Sequence, residues 1–192
     1  MASVARFLLG RSSILVNIVQ KYEPAINPLD LHFQNMLQTT DLSFSYPNGE
    51  PFNFPNLKVE PNEGLLVLGQ SGKGKTTLLH LLAGLMSPKS GSIKIGETEF
   101  QSLSGSSKDR FRGENIGIVF QQSQFVKSIS VLSNLKLARS LAGLKENTSL
   151  AESLLSELGI EARMHAKPSE LSIGERQRAS IARALVTEPK VV

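Results

Sequence analysis

The residues Gly69-Gln-Ser-Gly-Lys-Gly-Lys-Thr76 run glycine, four residues, glycine, lysine, hydroxyl residue. An apolar run precedes them and an apolar helical pattern follows, the setting in which this spacing makes a phosphate-binding loop, the P-loop or Walker A pattern. Gly69, Gly72 and Gly74 let the backbone wind so that successive N–H groups, with those of Gln70, Ser71 and Lys73, turn toward phosphate oxygens. A helix starting near Gly74 aims the positive end of its dipole at the same point. Lys75 then reaches the β- and γ-phosphates, the Thr76 hydroxyl is a ligand for Mg²⁺, and Thr77 follows in the first helical turn. The alternative, a glycine-rich turn that merely reverses the chain, explains neither the lysine nor the paired threonines.

A second set lies in Glu170-Leu-Ser-Ile-Gly-Glu-Arg-Gln-Arg178. Ser172 is a good N-cap, Glu175 stands where a capping box places its carboxylate, and Gly174 leaves room for a phosphate at the helix start. By itself this is also an ordinary capped helix. Gln121 ends the apolar stretch Gly117-Ile-Val-Phe-Gln121, and Tyr46 follows Leu42-Ser-Phe-Ser. Taken singly, the first reads as a strand ending in polar residues and the second as a packing aromatic.

Kinases, small GTPases, helicases and transport ATPases all carry P-loops, so the loop alone leaves the function open. The loop together with the 170–178 segment and the helix after it resembles the ATP-binding-cassette (ABC) ATPases over residues 37–192, with a texture closest to the lipoprotein-releasing and macrolide-export branch. The resemblance implies an ATP hydrolase that uses ATP and Mg²⁺ to drive a transporter. Tyr46 would stack on adenine, Gln121 would help hold Mg²⁺ and the attacking water, and Ser172, Gly174 and Glu175 would form the signature segment that meets the γ-phosphate of a second cassette. It implies as partners a homodimer or paired ATPase subunit and integral membrane permease subunits, and as location the cytoplasmic face of the membrane. Ile173 departs from the family's usual glycine and narrows the approach of nucleotide there. Two alternatives belong to other classes: a cassette ATPase acting on DNA or the ribosome, and a nucleotide-binding module that does not hydrolyse. Only 97 positions separate Lys75 from Ser172, too few for a long coiled coil or a second cassette.

These residues need a frame. Leu37 to Tyr46 reads as a strand, Pro47-Asn-Gly49 as a turn, and Phe52 to Val59 as a second strand interrupted at Pro55. Leu65–Leu68 reads as a central strand buried on both faces, followed by the loop and a helix through Leu85. Ser92–Ile95 and Ile116–Phe120 read as further strands, and helices are predicted over Val131–Ala142, Ser149–Leu158 and Gly174–Leu185. The fold class is α/β: a P-loop NTPase core of parallel strands, an N-terminal antiparallel β arm and an inserted α-helical subdomain over about 122–175.

The chain has 192 residues, 40% hydrophobic and 20% charged, which suits one packed domain. A net charge of +4 with bases dispersed among acids gives no patch for nucleic acid. There is no cysteine, and His32, His80 and His165 lack ligand spacing, so no disulfide or zinc site is expected. No apolar run approaches the roughly 18–20 residues that span a bilayer. Residues 1–35 read as an extension, disordered or not native, with Met36 as an alternative start; the ABC ATPase domain, partial, covers 36–192. Glu188-Pro-Lys-Val-Val192 resembles the lead-in to the Walker B strand, while the Walker B glutamate and switch histidine have no counterpart in these residues. The 192 residues alone are therefore expected to hydrolyse ATP poorly and, with an edge of the core unpaired, to be marginally stable.

Overall fold

The computed structural model describes residues 4–9, 12–17, 37–47, 49–61 and 63–192. The chain divides into two compact units, Met1–Ser104 and Gly105–Val192. The first contains β1 (Val4–Leu9), β2 (Ser12–Asn17), β3 (Leu37–Phe44), β4 (Phe52–Asn53), β5 (Lys58–Val59), β6 (Leu66–Val67), helix α1 (Lys75–Leu82), β7 (Ser90–Ile95) and β8 (Thr98–Glu99).

The expected β arm is an antiparallel sheet in the order β4-β3-β7-β8, with β5 also on β3. Alternation along β3 sends Leu37 and Thr39 inward, and the register shift between Thr40 and Ser43 returns Leu42 to the same side; they join Phe54, Leu57, Ile93 and Ile95 in the buried set. Each such apolar side chain contributes roughly 1.5–3 kcal/mol. Pro55 divides the second strand into β4 and β5 because it has no N–H for the ladder. Thr39 covers the break: its hydroxyl accepts from the Leu57 N–H at 2.9 Å and donates to the Pro55 carbonyl at 3.3 Å. The turn that follows Tyr46 closes with Gly49 N–H on the Tyr46 carbonyl at 3.0 Å; Asn48 lies outside the described residues.

The strand before the P-loop differs from expectation. Only Leu66–Val67 is regular, and Leu66 is 41% exposed instead of buried on both faces. Its partner is β2, antiparallel, with Val16 opposite Val67 and Asn17 opposite Leu66. Unpaired backbone N–H and C=O groups favour any extended segment within reach, so the edge takes an antiparallel neighbour in place of a parallel one. β1 in turn pairs with β2. The extension expected over 1–35 lies mostly outside the described residues, as does Met36; within it, Val4–Leu9 and Ser12–Asn17 are these strands.

The second unit holds α2 (Gly105–Asn115), α3 (Val131–Leu141), α4 (Thr148–Glu157) and α5 (Ile173–Leu185). The last three follow the apolar spacing and are capped by Ser130, Asn147 and Ser172. Val131, Leu132 and Leu135 of α3, Ala151 and Leu155 of α4, and Ala179 and Ala182 of α5 make one core with Ile160, Leu171 and Val186. Helix α2 carries no apolar stripe and was not foreseen from periodicity; it is braced by ion pairs, Arg110 to Glu114 at 2.9 Å and Arg112 to Asp109 at 2.7 Å. The predicted strand 116–120 is reduced to one parallel bridge, Ile116 to Val191. Gly117 is required there: a Cβ on it would lie 2.7 Å from the Ala184 carbonyl oxygen and 3.0 Å from Pro189 Cγ, so the chain leading to Gln121 runs directly against the end of α5.

Candidate nucleotide site

The P-loop hangs between β6 and α1, and residues 69–73 are all exposed. Gly72 and Gly74 have φ of 78° and 82°, left-handed values that side-chain-bearing residues rarely adopt. Gly74 is the N-cap of α1 and offers no side chain to cap it. No acidic residue occupies the first turn, so the helix start keeps its affinity for an anion. A second constraint fixes glycine at 74: a Cβ there would lie 2.8 Å from Phe52 Cδ1 and 3.4 Å from Phe54 Cε1. An aromatic cluster thus backs the loop.

Lys75 folds over the loop, its ammonium donating to the carbonyls of Gly69 at 2.7 Å and Gln70 at 2.8 Å. Thr76 is exposed beside it and Thr77 is buried. Tyr46 sits in the same unit. Its ring is edge-on to Phe44, with centroids 4.9 Å apart, and to Phe52, at 6.3 Å, and Phe52 stacks on Phe54 at 6.2 Å. The Tyr46 hydroxyl lies 3.0 Å from Thr77 Oγ1. Tyr46, the loop and α1 are therefore one connected cluster, with a lysine ammonium, exposed backbone and a free helix start: a donor set suited to a triphosphate and its base.

In the second unit the signature segment forms the capping box its sequence implies. Ser172 Oγ accepts from the Glu175 N–H at 3.3 Å, and Glu175 Oε2 accepts from the Ser172 N–H at 2.8 Å. The other Glu175 oxygen accepts from Arg163 Nε at 3.0 Å. The bonds from Ser172, backbone first, and then the Arg163 guanidinium hold the Glu175 carboxyl down at about 2. Glu175 is thus committed to the helix end by Ser172 and Arg163. Ile173 is 86% exposed at the first helical position, and a Cβ on Gly174 would meet nothing nearer than Arg178 Nη1 at 3.5 Å.

Gln121 is exposed at the end of the Gly117 stretch. Sequence reasoning passed over the residues that fix its surroundings. Arg183 of α5 donates to the Gln124 carbonyl and lies over the Phe125 ring, 5.0 Å from its centroid. Asn134 of α3 accepts from the Val126 N–H at 2.8 Å and donates to the carbonyls of Val126 and Ser130 at 3.1 and 2.9 Å.

The family model described as ABC transporter matches residues 52–192. The chain belongs to the ABC transporter family. Its ATP-binding cassette is that of a transporter ATPase, and no finding favours the DNA- or ribosome-associated alternative. The chain is 38% identical over 163 residues to the lipoprotein-releasing system ATP-binding protein LolD of Syntrophotalea carbinolica, covering 82% of this chain and 72% of that protein. It is 40% identical over 139 residues to LolD of Wigglesworthia glossinidia brevipalpis, there spanning 71% of this chain and only 61% of the relative. Among solved structures, the dimeric MJ0796 bacterial ABC transporter cassette matches with a TM-score of 0.67 at 25% identity, over 80% of this chain and 71% of that one. The same cassette in a post-hydrolysis state bound to ADP and Pi matches with a TM-score of 0.65 at 26% identity, again over 80% and 71%. These likenesses place the fold class with the P-loop cassettes. No helix among the described residues is long and apolar enough to cross a membrane.

Proposed function

We propose that this ABC cassette is the nucleotide-binding subunit of a lipoprotein-releasing type of transporter. In this reading ATP binds at residues 69–77 with adenine on Tyr46. A second cassette then closes on it with Ser172, Gly174 and their helix start, and the closure is passed to integral membrane permease subunits at the cytoplasmic face. The substrate class is carried over from the LolD relatives.

The observation that carries the nucleotide-binding part is the Lys75 ammonium held on two exposed carbonyls at the mouth of the loop. The two carbonyls carry no net charge; phosphate oxygens at the same place would add direct attraction between opposite charges to the hydrogen bonds. The free first turn of α1 adds N–H donors on the same side. Mg²⁺, where bound, would offset the charge of the phosphates, with the Thr76 hydroxyl as its ligand from the loop helix in this reading. The Ser172 hydroxyl and the N-terminus of α5 offer a second anion site, complete only with the P-loop of another cassette.

Titration calorimetry with Mg·ATP tests the loop. Lys75→Ala is expected to weaken binding about 100-fold, equivalent to about 2.8 kcal/mol, with the thermal midpoint little changed because the hydrogen bonds of the Lys75 ammonium go to exposed loop carbonyls. An affinity equal to that of the parent chain would refute the assignment of Lys75.

A further inference from the structure

We infer that Thr77 is a positioning residue for the adenine platform: its hydroxyl, 3.0 Å from that of Tyr46, anchors the Tyr46 ring to the P-loop helix, so that the base and phosphate subsites form one preorganised unit. The inference rests on the reading of Tyr46 as the surface on which adenine stacks.

Tyr46 needs such an anchor because its backbone has left the sheet. β3 ends at Phe44, and the chain beyond turns at Pro47 toward Gly49. No ladder hydrogen bond fixes residue 46, and 45% of it is exposed. The edge contacts with Phe44 and Phe52 limit where the ring can go, but aromatic edges tolerate sliding over wide ranges of separation. A hydroxyl–hydroxyl bond is directional and short, so it selects among the orientations those contacts permit.

The other partner is well chosen for rigidity. Thr77 is 5% exposed, within the first turn of α1, two residues after Lys75. Burial removes water as a competitor for its hydroxyl, and a buried hydroxyl seeks a protein partner. As a β-branched residue in a helix it has few χ1 rotamers, and the hydrogen bond to Tyr46 selects among them. The same helix start is packed from beneath by Phe52 and Phe54, whose rings fill the space a Cβ on Gly74 would take. Tyr46 is therefore tied to the phosphate site twice, through Phe52 to Gly74 and through its hydroxyl to Thr77. Ordering a side chain before the ligand arrives removes an entropic cost from binding, and the gain falls on ligands that contain a base.

The test compares affinities for ATP and for inorganic tripolyphosphate, both with Mg²⁺, in the 192-residue chain. Tripolyphosphate presents the phosphates without the base, so the ratio of the two affinities isolates the platform from general damage to the loop. Tyr46→Phe keeps the ring and removes the hydroxyl; Thr77→Val keeps the shape and removes the other hydroxyl. Each is expected to lower the ratio about 5-fold, the size of one hydrogen bond. The double variant is expected to lower it no further, since both changes break the same bond. Thr77→Ser, which retains a hydroxyl, should restore most of the ratio. A Tyr46→Phe ratio equal to the parent's, or losses that multiply in the double variant, overturns the inference. Should Thr77→Val not fold, Tyr46→Phe and Thr77→Ser decide alone. Tyr46→Ala separates the two readings: if it leaves the ratio intact, Tyr46 is not the base platform, whereas if it lowers the ratio and Tyr46→Phe does not, stacking stands and the Thr77 anchor falls.

Discussion

Glu175 shows how a residue expected at a ligand can be held by its own helix. Its carboxylate takes the Ser172 N–H and Arg163 Nε, and the bonds from Ser172 come first among the causes that lower its pKa from 4.5 to about 2. A carboxylate with a lowered folded-state pKa contributes stability that is complete above the unfolded value and is lost as pH falls through the folded one. The contribution of Glu175 is therefore full above pH 4.5 and drains away between 4.5 and about 2. Chemical denaturation of the parent chain and of Glu175→Gln at pH 7 and at pH 3 checks this. The difference in stability between the two proteins should be larger at pH 7 and shrink at pH 3; a constant difference would show that the charge plays no part. Arg163→Ala should remove only a portion of the same pH dependence, because the backbone bond from Ser172 remains.

At the scale of elements, the helices of the second unit were legible because their apolar residues recur at helical spacing and their caps are conventional: Ser130, Asn147 and Ser172 each accept from an N–H in the first turn. The P-loop was legible because glycine, lysine and threonine have few other reasons to occupy that spacing. What escaped was tertiary. Helix α2 has a single aromatic and local ion pairs, so no period marked it. The P-loop strand carries four apolar residues in a row, yet which strand pairs with it depends on chain far away in sequence. On α3, two polar residues interrupt the apolar face, and the interruption was the overlooked signal. Buried Arg139 donates to the carbonyls of Lys145 and Val186 and pairs with Glu188 at 3.2 Å; buried Asn134 holds both backbone groups of Val126. Asn134→Leu would remove both hydrogen bonds to Val126, each worth about 0.5–1.5 kcal/mol net because Val126 is exposed and water can replace the lost partner. We expect a loss of about 1–3 kcal/mol in a denaturant titration and faster hydrogen exchange confined to residues 124–130. A stable protein with unaltered exchange would mean that this segment is ordered by something other than Asn134.

For the molecule as a whole, the signature helix start is the part whose use depends on another cassette. Gly174 is exposed, and a side chain there has room, since the nearest atom to an added Cβ is the tip of Arg178 at 3.5 Å. Folding therefore does not require glycine at this position. An aspartate in the first turn of a helix even interacts favourably with its dipole, by roughly 0.3–1 kcal/mol. A phosphate approaching from a partner cassette, in contrast, would meet a carboxylate where it expects open N–H groups. Gly174→Asp is accordingly expected to keep or slightly raise the thermal midpoint, to bind Mg·ATP as the parent chain does, and to lose ATP-dependent self-association. Sedimentation velocity with and without Mg·ATP reads the last property directly. If the aspartate variant associates as readily as the parent, the α5 start does not face a nucleotide, and the second anion site must be sought elsewhere on the chain. If association is lost while binding and folding persist, stability and closure are separable at this position: the capping box of Ser172 and Glu175 holds the helix, and the bare backbone at Gly174 receives the phosphate.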